Sequence, residues 1–154
     1  MHRIWTHVRT AVALTGLAVA AQGWTQQPRP DPSLSVEDVV RAQLSGFAAG
    51  DEAGIARAFA FASPGNRAQT GPLPRFAAMI REGYPELLGH QSAELGPQRT
   101  DERHTYQAVD VIGPDGREHL YIFILGRYDT ADCSACWMTD GVTRRPANPD
   151  ARAL

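Results

Sequence analysis

The chain is 154 residues long, 43% apolar and 21% charged, with a formal charge of −2. This is the size and balance of one globular domain. The negative charge and the lack of a basic cluster exclude a nucleic-acid surface. All 15 basic residues are arginine, which reads as codon usage and not as phosphate chemistry.

His2, Arg3, His7 and Arg9 precede a short apolar run over residues 10–21, and Ala18, Val19 and Ala20 supply small residues for cleavage. The pattern predicts a signal peptide over residues 1–23. The run is shorter than the ~20 residues a membrane span needs, so no membrane association is expected after cleavage. Cleavage near Ala20 to Gly23 removes two arginines and no acid, taking the charge from −2 to −4. The expected destination is the periplasm or the medium, where thiols oxidise. Residues 24–33 contain QQPRPDP and predict a Pro-rich linker. Residues 34–144 are expected to form the domain, and residues 145–154 a flexible tail.

Ser35 and Asp38 stand in capping-box relation, with Leu34 and Val39 placed as a hydrophobic staple. Val36, Val40, Leu44 and Phe47 then fall on one helical face. Gly50 closes this helix, and Asp51 caps a second that offers Ile55, Ala58, Phe59 and Ala62 to the same core. Ser63, Pro64 and Gly65 stop it, and residues 66–72 read as a loop. Pro74 opens a third helix with Phe76, Met79, Ile80 and Tyr84 at helical spacing, and Pro85 ends it.

The period then changes to that of strands. Residues 92–98 make a weak edge strand broken by Gly96 and Pro97, and residues 104–112 a better one. Residues 113–116, Gly-Pro-Asp-Gly, read as a hairpin turn. Residues 117–128 form the strongest strand, with Leu120, Ile122 and Ile124 on one face and Tyr121, Phe123 and Leu125 on the other. Such a strand lies inside its sheet, with something packed on each side. Residues 136–144 complete the set. The expected class is α+β: about three N-terminal helices packed on an antiparallel sheet of about four strands.

The runs VVRAQLSGFAAGDEAGIARAFAFASPGNR and RFAAMIREGYPELL, followed by a closing sheet with Trp137, resemble the bacterial family called domain of unknown function 4864. That family is similar in build to the nuclear-transport-factor-2-like superfamily. The resemblance covers about residues 36–144 and implies a curved sheet wrapped around helices as a cone. It implies no activity. Two departures stand out: the cysteines near residues 129–136, and a last strand that ends in Thr143, Arg144 and Arg145.

Cys133 and Cys136 form the one motif with chemical content. A redox C-x-x-C needs a strand-to-helix junction, and this one precedes a strand. One C-x-x-C also supplies only two of four zinc ligands. A structural disulfide is therefore expected, worth ~2 kcal/mol at best for so short a ring. His90, His104 and His119 share no ligand spacing, so no metal and no cofactor is predicted. Tyr84, Tyr106, Asp110, Tyr121 and Phe123 form the candidate pocket. The resemblance admits Asp110 with Tyr84 or Tyr121 as an acid/base pair, against the stronger reading of Asp110 as a solvated carboxylate, so no residue is assigned to catalysis. Tyr121 and Phe123 either line a pocket or meet a partner sheet.

The leading expectation is an exported, non-catalytic domain that binds a small apolar ligand or a partner. One alternative is an isomerase- or hydrolase-like enzyme with its site in the cone mouth. Another is a structural homodimer, formed through whichever face of the sheet the helices leave open.

Overall fold

The computed structural model describes residues 28–145. The predicted signal peptide, residues 24–27 of the linker and the tail beyond Arg145 lie outside the described residues. Ser35 opens α1 (Val36–Ala48) as the capping box requires. Its hydroxyl accepts from the Asp38 N–H at 3.1 Å, and the Asp38 carboxylate accepts the Ser35 N–H at 2.9 Å. Asp51 caps α2 (Glu52–Phe59), accepting from the Gly54 N–H at 2.6 Å. The two helices cross at Gly46 and Gly54, where neither has a side chain to hold them apart.

The sequence expectation fails in the next segment. Of the expected loop over residues 66–72 only Gly71 and Pro72 remain outside a helix; α3 (Pro64–Thr70) takes up the rest and begins two residues earlier. Ser63 accepts from the Asn66 N–H at 3.1 Å, and Pro64 lies in the first turn, where a missing N–H costs nothing. None of the residues of α3 is buried, so no apolar period marks it. The described residues thus form four α-helices where about three were expected. The core contribution also shifts by two positions. Phe61, just past the end of α2, is fully buried, while Phe59 is half-buried against Phe76 at 4.7 Å between ring centres. Because α2 stops at Phe59, helical spacing does not apply to Phe61.

α4 (Leu73–Gly83) runs into a single 3₁₀ turn (Pro85–Leu87) at the expected proline. Four antiparallel strands follow in sequential order: β1 (Ser92–Thr100), β2 (Thr105–Ile112), β3 (Glu118–Tyr128) and β4 (Cys136–Arg145). The pairing of β1 slips between Leu95 and Gln98, where Gly96 and Pro97 interrupt it. β3 pairs with both β2 and β4. In β4, Thr139 pairs with Leu125 and Gly141 with Ile124, which leaves Asp140 as the extra residue of a bulge. Phe61, Ala62 and Ser63 run beside β4. The Phe61 carbonyl accepts the Thr139 N–H at 2.8 Å, and the Ser63 N–H donates to the Thr139 carbonyl at 2.9 Å.

The helices cover one face of this sheet. Tyr121, Phe123 and Leu125 lie there with Val109 and Val111, in one core with Val40, Phe47, Ile55 and Phe61. Leu120, Ile122 and Ala108 form a smaller cluster on the opposite face, joined by half-buried Tyr106 and Ile124. Both faces of β3 are buried within the single chain, with Leu120 at 6% and Ile122 at 3% exposure.

Candidate functional site

The sheet divides the five candidate pocket residues. Tyr121 and Phe123 are fully buried in the helix-side core, and Tyr84 joins them from the end of α4. Tyr106 and Asp110 lie on the opposite face, because Asp110 pairs with Leu120 while Val109 pairs with Tyr121. An Asp110–Tyr121 or Asp110–Tyr84 pair is therefore not formed. Tyr106 instead donates to Asp101 at 2.9 Å, within the β1–β2 turn.

The partner of Tyr121 is Glu86, from the 3₁₀ turn. The Tyr121 hydroxyl donates to one Glu86 carboxylate oxygen at 2.9 Å, and Arg144 donates to the other at 2.6 Å. Burial, reinforced by the Glu86 carboxylate, pushes the Tyr121 phenol far above its ordinary range. Burial of Glu86 would raise its carboxyl. Its backbone hydrogen bond, Tyr121 and Arg144 together outweigh that and hold it below the usual glutamate value. Tyr121 is thus a fixed donor and Glu86 a fixed anion, an arrangement that ties the 3₁₀ turn to β3 and β4.

A cavity of about 200 Å³ opens beside this group, between α1, α3, α4 and β4. Of the five predicted pocket residues, only Tyr84 lines it. Phe47, Phe76, Met79, Ile80 and Leu87 make its apolar wall. Four of its polar residues, Gln43, Asn66, Thr70 and Thr139, form one connected set. Thr139 donates to the Gln43 side-chain oxygen at 2.6 Å, and the Gln43 amide donates to the Ala58 carbonyl at 3.1 Å. Asn66 donates to the Thr139 carbonyl at 3.0 Å, and Thr70 to the Asn66 carbonyl at 2.8 Å. Tyr84 donates to the Val142 carbonyl at 3.0 Å. Gln43 and Thr139 are buried, and exposed Gln69 marks the rim.

Sequence reasoning missed Gln43, Asn66, Thr70 and Thr139 as site residues. Gln43 carried the one local signal, a polar side chain beside the apolar positions of an amphipathic helix. The other three depend on α3 and on the β4 bulge.

On the far side of the bulge only one oxygen of the Asp140 carboxylate has a hydrogen bond, and the other is buried without one. Tyr128 donates to one oxygen at 2.6 Å, and a His104 ring nitrogen lies 3.6 Å from the other. Burial, followed by the Asp140 hydrogen bond, raises the Tyr128 phenol. Among the described residues no three His, Cys, Asp or Glu side chains gather where they could hold a metal ion.

Cys133 and Cys136 form the expected disulfide, and Cys136 is the first residue of β4, not the start of a helix. The loop before it is held by Asp129, whose carboxylate accepts from the Ser134 hydroxyl at 2.7 Å and the Ala135 N–H at 2.8 Å. Ala135 adopts a left-handed backbone, with φ of 55°.

The family model described as Domain of unknown function (DUF4864) matches residues 30–151. No curated protein and no solved structure matches the chain.

Proposed function

We propose that this chain, which belongs to the DUF4864 family, is an exported, non-catalytic domain that binds a small molecule between α1, α3, α4 and β4. The observation that carries this reading is the cavity of about 200 Å³, where hydrogen bonds hold Gln43, Asn66, Thr70, Tyr84 and Thr139 in place while the other wall is apolar. Side chains fixed in advance lose little freedom on binding, which favours affinity. The superfamily resemblance belongs to the same proposal, with this cavity as the mouth of a cone. Export is supported by the buried Cys133–Cys136 disulfide.

The enzyme alternative has less support. Tyr84 lines the cavity but spends its proton on Val142, and Tyr121 stays protonated. The dimer is a second reading, favoured by half-buried Tyr106 and Ile124 on the outer sheet face. Leu120 and Ile122 do not need a partner to be buried there.

Amide NMR spectra during a fragment screen test the binding reading. Binders should shift Thr139, Gly141 and Val142 together, and the shifts should vanish in Met79→Trp, which fills the cavity. Shifts that are absent, or that survive Met79→Trp, would overturn it.

A further inference from the structure

We infer that the ligand of this cavity is a small neutral molecule with a carbonyl and an N–H or O–H at one end and hydrocarbon at the other. The inference rests on the binding reading above and narrows it. Its first support is charge. The formal charges beside the cavity are either paired elsewhere or buried out of its reach. One Asp140 oxygen accepts from Tyr128, and the other is buried without a hydrogen bond, 3.6 Å from a His104 ring nitrogen and with no surface open to the cavity. Arg67, on α3, donates to the Ala62 carbonyl at 2.9 Å and the Ala60 carbonyl at 2.5 Å. Glu86 and Arg144 hold each other. An ionised ligand would find no accessible, unpaired counter-charge in the cavity, and burying an unpaired ion is strongly unfavourable.

The second support is the hydrogen-bond capacity left over. The hydroxyl protons of Thr139, Thr70 and Tyr84 are spent on Gln43, Asn66 and Val142. Hydroxyl oxygens keep lone pairs after donating, and a primary amide keeps a second N–H after its first is used. Thr139 and Tyr84 therefore present acceptors, while Gln43 and Asn66 present donors. A carboxamide, lactam or hydroxy-ketone answers both. A pure hydrocarbon leaves them unpaired, and a carboxylate meets the lone pairs with lone pairs of its own. The size limit follows from volume. An apolar cavity of about 150 Å³ holds benzene, so one of about 200 Å³ takes about ten non-hydrogen atoms.

Calorimetry on the full chain at pH 7 tests this with three probes of closely matched size: phenylacetamide, phenylacetate and 2-phenylethylammonium. The amide should bind at least ten-fold tighter than either ion. Thr139→Val, which removes an acceptor, should weaken it by three-fold or more while Thr139→Ser does not. Tyr84→Phe gives the same reading if Thr139→Val fails to fold. An ion that binds as tightly as the amide, with shifts on Thr139 and Val142, would overturn the neutral class and leave the binding reading standing. If none of the three binds, both fall.

Discussion

Gly46 and Gly54 meet face to face where α1 crosses α2. A methyl group on Gly46 would lie 2.5 Å from the Gly54 carbonyl oxygen, and one on Gly54 would lie 2.1 Å from that of Gly46. Both obstacles are backbone, which cannot rotate aside. Gly54→Ala should therefore force the helices apart and cost about 3 kcal/mol or more by urea denaturation, at the upper end for overpacking. Gly83, at the end of α4, has nothing within 4 Å of such a methyl. Gly83→Ala should be neutral or stabilising by up to about 1 kcal/mol. Equal effects at the two sites would refute the close-crossing account.

The Glu86 carboxyl is held below the usual glutamate value. A group depressed in the folded state stabilises the fold above its unfolded pKa, and the contribution fades as pH falls through the folded pKa. Wild-type stability should therefore drop on acidification below about 4.3, the ordinary glutamate value. Glu86→Gln should be less stable at pH 7 and should lose part of that acid dependence. Parallel stability–pH curves for the two proteins would exclude Glu86 as a contributor.

Ala135 holds a left-handed backbone between the two cysteines, where a Cβ costs about 1–2 kcal/mol and glycine costs none. Ala135→Gly should raise the stability of the oxidised protein by up to about 1 kcal/mol, the remainder being offset by the freer unfolded chain. Thiol titration of unreduced protein should find no free thiol, and reduction should cost no more than about 2 kcal/mol. A destabilised Ala135→Gly would mean that the turn is set by something other than this residue's φ.

Export is checked by intact mass. Protein recovered from the periplasm or medium should lack Met1 and begin between residues 21 and 24. A species that retains Met1 would end that proposal.

The dimer makes a different demand. Two chains joined through the outer sheet face should bury about 1,200 Å² or more in total, and Ile124→Glu should separate them. Sedimentation equilibrium that finds a monomer at high micromolar concentration removes this reading.

Much of the fold was legible because its signals are local. Ser35 and Asp38 lie three residues apart, and the alternation in β3 needs no partner to be seen. α3 was not legible: its residues are polar or small, and its Pro-Gly start has the composition of a breaker. The site was legible only in fragments. Tyr121 and Glu86 are 35 residues apart, and no short-range pattern joins them. The placement of Asp110 is another case. The turn at Gly113–Gly116 fixes which β2 residue faces which β3 residue, and it sets Asp110 against Leu120. That register was readable from the turn itself, and alternation within β2 alone does not supply it.

The run of Phe61 to Ser63 beside β4 has a consequence for how the molecule meets copies of itself. An open sheet has two rims of unpaired backbone, and each can template strand addition. On β4 the Thr139 amide and carbonyl are taken by Phe61 and Ser63, and the Val142 carbonyl by Tyr84. On β1 the rim is broken by Pro97, which has no N–H to offer, and by the slip between Leu95 and Gln98. Neither rim presents a long uninterrupted ladder. The contacts beside the cavity therefore also protect the β4 rim against edge-to-edge aggregation.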